Sequence, residues 1–429
     1  MNKVLFYGLG NARDHANHHY SKGIDNTQFC SIIQNNNALM ENYDNVYVIK
    51  SLNEAINFAK NYNPDLVVIS NRKDLNNGVY EEFKRYGFNV FGINKKAAKL
   101  ESDKIYAKRL MSKYNVPTPN YFYTTSLEKA TDFLYKNWNK SKYGYVLKVC
   151  KNAKKSFDRT SVPRNLDDAI EETKRLFNTL DNVELLIEEC IVGYEISLHI
   201  LIKDGKYSIL PIVQDYKRKY KNNTGPMTAG TSSVASTQIK YDYILKKMEK
   251  EVIKPTMNLI EKERIEYNYI LYIGVIIDKN NNAFVLEYNT RSGNPEWLAI
   301  LGLLNCSLIS MYDNYYNNFD NLNKMWKREE NSVVIYGMLS EYPEFESSIH
   351  NEKILGFDKL DETMKLFGEN IVRLNNNYYS SGGRVFALGK VSNRFEEAKK
   401  DIINSFSLID MENLYFRDDI VKIEENIIK

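Results

Sequence analysis

The sequence is poor in cysteine and carries no surplus of either charge. Cys30, Cys150, Cys190 and Cys306 are spread over 429 residues without metal-ligand spacing. That excludes a disulfide-stapled scaffold and a cysteine-rich zinc module, and it suits reducing surroundings. Lysine and arginine total 58 against 55 aspartates and glutamates, a formal net charge of +3. So near a balance gives no bulk electrostatic argument for nucleic acid or a membrane surface. No apolar run approaches a membrane span; the longest, Ile270 to Ile277, reads as a buried strand. The opening Met1-Asn-Lys-Val-Leu-Phe-Tyr-Gly8 is too short in its apolar part for a signal peptide and reads as a first strand. Repeats and low-complexity tails are also missing. What remains is an ordinary globular composition, 43% hydrophobic, with length for two to four domains. The expected location is cytoplasmic.

The pattern along the chain is α/β. Lys3–Gly8, Val46–Lys50, Asp65–Ser70 and Asn89–Gly92 read as strands, with helices at 53–62 and 79–86 between them. That alternation predicts a parallel sheet. Gly8-Leu-Gly10 follows the first strand, but Arg13 stands where a dinucleotide fingerprint needs its third glycine, which argues against NAD. Residues 95–115 read as helix with a break at Glu101-Ser-Asp103, ended by Pro117-Thr-Pro119. A smaller α/β unit follows: helix 126–138, strand 145–150, helix 166–180, strand 183–190. Hairpin patterns lie at 194–213, around Asp204-Gly205, and at 270–289, and Pro255 divides a long helical stretch, 240–263. The polar segment 326–331 marks a boundary. The expected domains are 1–103, 104–325 (with a small lobe at about 123–190) and a C-terminal α+β domain at 330–429.

The chemistry concentrates in Phe284-Val-Leu-Glu-Tyr-Asn-Thr-Arg291. Strict alternation puts Val285, Glu287, Asn289 and Arg291 on one face and Phe284, Leu286 and Tyr288 on the other. Carboxylate, amide oxygen and guanidinium then follow one another at roughly 7 Å, two residues of strand rise apart. Hard oxygens suit Mg²⁺, and a planar cation suits phosphate or carboxylate. Lys104 opens a helix after Ser102-Asp103. Lys148 lies inside the apolar strand Tyr145-Val-Leu-Lys-Val149, where burial is costly unless the ammonium meets an anion or reaches water. Glu188-Glu189-Cys-Ile-Val-Gly193-Tyr-Glu195 reads as a hinge between strands.

Taken in order, these segments resemble the ATP-grasp ligases, and within them the phosphoribosylamine–glycine ligase (glycinamide ribonucleotide synthetase) family. The resemblance covers nearly the whole chain. It also runs through Phe91-Gly-Ile-Asn, Asn115-Val-Pro-Thr-Pro119, Gln214-Asp-Tyr-Lys-Arg218, Thr224-Gly-Pro226, Gly293-Asn-Pro-Glu296 and Gly382-Gly-Arg-Val385. It implies an ATP-grasp fold, two α+β lobes clasping ATP, with an N-terminal parallel-sheet domain and a C-terminal α+β domain. It also implies a ligase that joins a small carboxylate, an amino acid by preference, to a small amine through an acyl phosphate, and a monomer. Lys104 and Lys148 would touch ATP phosphates, and Glu188, Glu189 and the hinge backbone would hold adenine. Glu195 would bind ribose, and Glu287 and Asn289 would hold Mg²⁺, with Mn²⁺ as the alternative ion. Arg291, with Lys148, would serve catalysis. Substrate contacts would come from Gly8, Gly10, Arg13, Asp215, Lys217, Thr224, Gly225, Arg291, Gly293, Glu296 and Arg384. Other branches place a further acidic metal ligand where Val275 stands, which argues against carboxylases and alanine–alanine ligases.

Four departures from the family fall near lid or substrate positions. The segment after Lys148 has no glycine through Pro163 and carries Lys151, Lys154, Lys155 and Arg159. Either cations replace backbone amides on the phosphates, with Lys154 and Lys155 foremost, or the loop is merely solvated. The family's Gly-Pro-Glu-Ala-Pro-Leu is Ser70-Asn-Arg-Lys-Asp-Leu75. Its Gly-Asn-Gly-Gly-Arg-Glu-His is one residue longer here, Gly8-Leu-Gly-Asn-Ala-Arg-Asp-His15. Its glycine-rich run after Thr-Gly-Pro is Met227-Thr-Ala-Gly-Thr-Ser-Ser-Val234. These changes predict a paralogue with an altered substrate pair. The alternatives are the purine enzyme itself and a non-catalytic nucleotide-binding protein. The His15–His19 cluster reads as a polar loop, since no third and fourth metal ligand follows.

Overall fold

The computed structural model describes residues 1–22, 27–150, 160–343 and 351–421. The basic loop with Lys151, Lys154, Lys155 and Arg159 lies outside the described residues. No described helix is long and apolar enough to cross a membrane.

Helix starts follow local chemistry. Asn11, Ser51, Asn71, Asn94, Asp103, Ser126, Asn165 and Ser307 each accept a hydrogen bond from the backbone N–H three residues on. Such caps satisfy donors that have no partner inside the helix. The Asp103 cap ends one helix, Lys95–Ser102, and starts the next, Lys104–Lys113, which fixes Lys104 at a first turn.

The N-terminal sheet has five parallel strands in the order Val46–Val48, Gln28–Ile33, Lys3–Gly8, Leu66–Ile69, Val90–Phe91. The small lobe is a four-stranded sheet built on Tyr145–Val149 and Leu185–Glu189, covered by the helices Leu127–Asn137 and Leu166–Thr179. The third sheet does not stop at the expected boundary. It runs from Ala283–Asn289 through Ile270–Asp278, Gly193–Lys203, Ile212–Tyr220 and Thr224–Ser236 into Asn331–Leu339, Arg384–Ser392 and Lys365–Gly368. The polar stretch at 326–331 is thus a connector into the next strand of the same sheet. One apolar core joins the N-terminal, central and C-terminal parts, and only the small lobe has a core of its own.

Three further expectations change. The helical stretch 240–263 is Asp242–Met248, a π-turn Glu249–Ile253 and Lys254–Lys262. The wider turn accommodates Pro255, which cannot donate its backbone nitrogen. The His15–His19 cluster is no loop: it lies on the helix Ala12–Ser21, where His15 and His18 are buried. The helix is polar in sequence because its partners are polar. His15 Nδ1 accepts from the Gly368 N–H at 3.0 Å and its Nε2 lies 3.2 Å from the Tyr43 hydroxyl. Burial pushes His15 down to about 3 and His18 and His19 to about 4, so all three stay neutral near pH 7. Among the described residues no group of three or more histidines, cysteines or acids is disposed to hold a metal.

The third change concerns the chemical strand. Gly274 pairs with Glu287 but Val275 pairs with Val285, so Leu286 is an extra residue, a bulge. Strict alternation therefore fails there. Val285 is fully buried in the core, while Leu286 and Glu287 both line the cleft. The bulge is what aims Glu287.

Candidate active site

A cleft of about 1350 Å³ opens between the small lobe and the large sheet. Lys104, Lys148, Glu188, Glu189, Glu195, Asp215, Lys217, Glu287, Asn289, Arg291 and Glu296 all line it. Residues almost 200 positions apart in sequence thus share one cleft.

On the strand Ala283–Asn289, the Asn289 side-chain amide lies 3.3 Å from Glu287 Oε1, and Arg291 Nη2 donates to Asn289 Oδ1 at 3.1 Å. Lys104 reaches Glu287 at 3.2 Å. Burial alone would raise the Glu287 carboxyl, but Lys104, Lys217 and Lys148 together hold it well below the usual carboxylate range. Arg291 is aligned from behind. Its Nε lies 3.3 Å from Glu101 Oε1, while Glu101 Oε2 accepts from the Thr290 N–H at 2.8 Å. Glu101 has an adjacent signal in the sequence, the Glu101-Ser-Asp-Lys104 string.

The donor set fits Mg²⁺. Glu287 and Asn289 offer hard oxygens within reach of each other, and a half-turn of the amide brings its oxygen toward the carboxylate. Mg²⁺ commonly takes one or two such protein ligands and fills its shell with phosphate oxygens and water.

The small lobe contributes Lys148, on Tyr145–Val149, and Glu188, on Leu185–Glu189. The Glu188 carboxylate is buried between two lysines, paired with Lys148 through one oxygen and with Lys108 at 2.7 Å through the other. Burial pulls the Lys108 ammonium down to about 8, with Glu188 opposing that pull. The reading of the sequence missed Lys108. Its signal is spacing: it follows Lys104 by one turn of the same helix. Glu189 accepts from Asn120 at 3.0 Å, and the hinge Cys190 to Gly193 lines the cleft.

Deeper in, Lys217 pairs with Glu195 at 3.0 Å and with Asp215 at 3.5 Å. Ser197 Oγ lies within 3.4 Å of both Asp215 and Glu296. Burial pushes the Asp215 carboxyl up to about 7, against the pull of Lys217 and with Glu296 and Glu195 adding to the rise. Beneath sits His199, fully buried and stacked on Tyr272, which accepts from the Gly293 N–H at 3.2 Å and so fixes the turn before Glu296.

Other expected substrate residues sit elsewhere. Gly10 takes φ +91°, and its N–H and that of Asn11 are bound by Asp14 Oδ2 at 2.9 and 3.2 Å. A side chain at Gly8 would collide with the same carboxylate. The Ala12 N–H goes to Glu369 Oε2 at 2.8 Å. Arg13 is buried and donates to the Ser292 carbonyl at 2.6 Å. Arg384 is buried, paired with Glu369 at 2.6 Å, and donates to the carbonyls of Ala229, Gly230 and Asn294. It clamps loops together behind the cleft. Thr224 begins a strand and donates to the Lys221 carbonyl, and the Gly225 carbonyl accepts from Arg218. Neither lines the cleft, whereas Asn223, Met227, Thr228 and Ala229 do.

Comparison with known proteins agrees with this geometry. Residues 102–297 match the model of the phosphoribosylglycinamide synthetase ATP-grasp (A) domain, and residues 2–101 match the N domain of the same synthetase. The phosphoribosylamine–glycine ligase of Clostridium acetobutylicum is 29% identical over 445 residues, covering 98% of this chain and 99% of the relative. That of Caldanaerobacter subterraneus is 27% identical over 426 residues, covering 97% and 99%. In structure, phosphoribosylamine–glycine ligase from Thermotoga maritima superposes with a TM-score of 0.76 at 24% identity, covering 98% of this chain and all of that one. The biotin carboxylase domain of the Hydrogenobacter thermophilus 2-oxoglutarate carboxylase follows with a TM-score of 0.70 at 14% identity, covering 97% and 92%. Two domain models in sequence and a fold shared end to end lead to one conclusion: the chain belongs to the phosphoribosylglycinamide synthetase family and is an ATP-grasp ligase that forms C–N bonds.

Proposed function

We propose that the chain joins glycine to 5-phosphoribosylamine with hydrolysis of ATP to ADP and phosphate. The observation that carries this reading is the convergence of Glu287, Asn289 and Arg291 with Lys104, Lys148 and Lys217 on one cleft. A carboxylate is a poor electrophile. Its oxygen attacks the terminal phosphorus of ATP, the bond to the bridging oxygen breaks, and ADP leaves. The amine then attacks the acyl carbon, phosphate departs with the C–O bond electrons, and the nitrogen sheds its proton. The transferring group is anionic throughout, so the protein's task is alignment and cationic stabilisation.

Lys104 and Lys148 bind phosphate oxygens, the backbone from Cys190 to Gly193 receives adenine, and Glu195 accepts from ribose hydroxyls. Glu287 and Asn289 hold Mg²⁺, which when bound neutralises charge on the phosphates. Arg291, steadied by Glu101, grips the amino-acid carboxylate as it is phosphorylated. Asp215 and Glu296, with Ser197 between them, suit the ammonium of the same amino acid.

A second reading keeps this activation chemistry but changes the amine. What favours it is the saturation of the Gly10, Asn11 and Ala12 N–H groups by Asp14 and Glu369. Donors already bound to carboxylates are poorly suited to a substrate phosphate. The relatives' names lend this reading no support. ADP release by the purified protein, with product mass analysis, separates the two. Fast turnover with glycine and 5-phosphoribosylamine is the expected result. Turnover only with an unphosphorylated amine selects the second reading, and no ADP from any amino acid and amine overturns both.

A further inference from the structure

Lys108 lies beside the cleft but, unlike Lys104, Lys148, Lys217 and Lys279, does not open onto it. Its side chain is 3% exposed and every contact is internal. Nζ meets Glu188 Oε1 at 2.7 Å, the Thr118 hydroxyl at 2.5 Å and the Val285 carbonyl at 3.3 Å. Glu188 belongs to the small lobe. Val285 belongs to the large sheet, two residues before Glu287, and its carbonyl also accepts from Thr118 Oγ1 at 2.8 Å. One ammonium therefore fastens both halves of the clamp at the base of the nucleotide wall.

The charges give the arrangement a purpose. Lys148 faces the cleft but is paired with Glu188. Alone, that pair would be neutral and would draw a polyphosphate weakly. With Lys108 bound to the other carboxylate oxygen, the three groups sum to +1, and the excess sits on Lys148, the cationic member that lines the cleft. Low surrounding polarity magnifies the effect, because neither Lys108 nor Glu188 is screened by water. We propose that Lys108 is a positioning residue of the nucleotide site: it satisfies Glu188 so that Lys148 keeps its charge for the phosphates. This rests on the nucleotide reading above and goes beyond it, since it makes the Glu188 carboxylate an internal counter-ion.

Calorimetric titration with MgATP tests the idea without needing the substrate pair. Lys108→Met should weaken MgATP binding at least tenfold, and Lys108→Arg should stay within threefold of the unaltered protein. Glu188→Gln removes the anion that quenches Lys148, leaves the group at +2 and should tighten MgATP binding. The double variant Lys108→Met/Glu188→Gln should return to within threefold, which a simple packing defect at Lys108 would not do. In turnover, Lys108→Met should raise the KM for ATP with kcat within about threefold. The proposal is overturned if Lys108→Met binds normally, if the double variant binds no better than Lys108→Met, or if Glu188→Gln binds no more tightly than the unaltered protein. Should Lys108→Met fail to fold, Glu188→Gln, at +2, must bind MgATP more tightly than the unaltered protein, and the double variant, back at +1, must return to within threefold of it; equal binding by Glu188→Gln and the unaltered protein overturns the proposal. Absence of MgATP binding by the unaltered protein would instead defeat the nucleotide reading, before any variant is made.

Discussion

The proposed nucleotide end of the cleft and the frame at the opposite end, behind it, hold their charges differently. Besides the buried Lys148–Glu188–Lys108 group, the nucleotide end holds Lys104 with Glu287 and Lys217 with Glu195, pairs whose side chains remain 23% to 36% exposed. Behind the cleft, Arg384 and Glu369 pair at 2.6 Å with 9% of each exposed. Glu369 there also receives Ala12, Asn294 and Tyr336. Half-exposed pairs contribute little to stability, so a ligand can take one partner cheaply. Breaking a buried pair leaves an unmatched charge, which is costly. The first kind suits exchange with a ligand and the second fixes the frame.

Substitutions can break this contrast, and the largest effect belongs to the nucleotide end. Glu287→Ala removes the carboxylate proposed for the metal and should cut kcat/KM about a thousandfold, several kcal/mol of lost charge stabilisation, in a steady-state assay of ADP release. Its unfolding midpoint in urea should barely move. Glu369→Ala should do the reverse: a loss of about 3–5 kcal/mol in urea denaturation, because Arg384 is left buried and unpaired, with MgATP affinity intact. If both variants lose affinity and stability together, the division between the ends is wrong. Arg291→Ala should raise the barrier by about 2–4 kcal/mol, as loss of a fixed charge stabiliser does, read as kcat with saturating substrates.

The smallest effect sharpens the contrast in the middle of the cleft. Asp215 is pushed up to about 7 when folded, from an ordinary value of 3.8. Between those values the folded chain keeps a proton that the unfolded chain has lost, so this group's contribution to stability falls as pH rises toward 7. Asp215→Asn does not titrate. Relative to the unaltered protein it should therefore gain on the order of 1 kcal/mol between pH 5 and pH 8 in chemical denaturation, while its activity drops.

What the sequence makes legible follows from distance along the chain. Glu287 and Asn289 share one short strand, Arg291 lies two residues past its end, and Lys104 follows its own cap, so local pattern was enough. Arg13 meets Ser292 across 279 residues and Ala12 meets Glu369 across 357, and nothing local announces either. The bulge at Leu286 needs its partner strand to be seen, so alternation misassigned Val285 and Leu286. Histidines on Ala12–Ser21 looked like solvent-facing polarity because what covers them, Phe367 and Gly368, comes from the other end of the chain. Lys108 was within reach: a lysine one turn after a phosphate-binding candidate shares its helix face.

The unbroken large sheet has a practical outcome for dissecting the protein. Thr224–Ser236 is zipped to Asn331–Leu339 by five successive residue pairs. Truncation at 330 would strip that edge bare, leaving the unpaired backbone groups of Ser232 to Ser236 open to other chains. The C-terminal hundred residues are accordingly a shutter over an adhesive seam, and a shortened protein should precipitate where the full one stays dispersed.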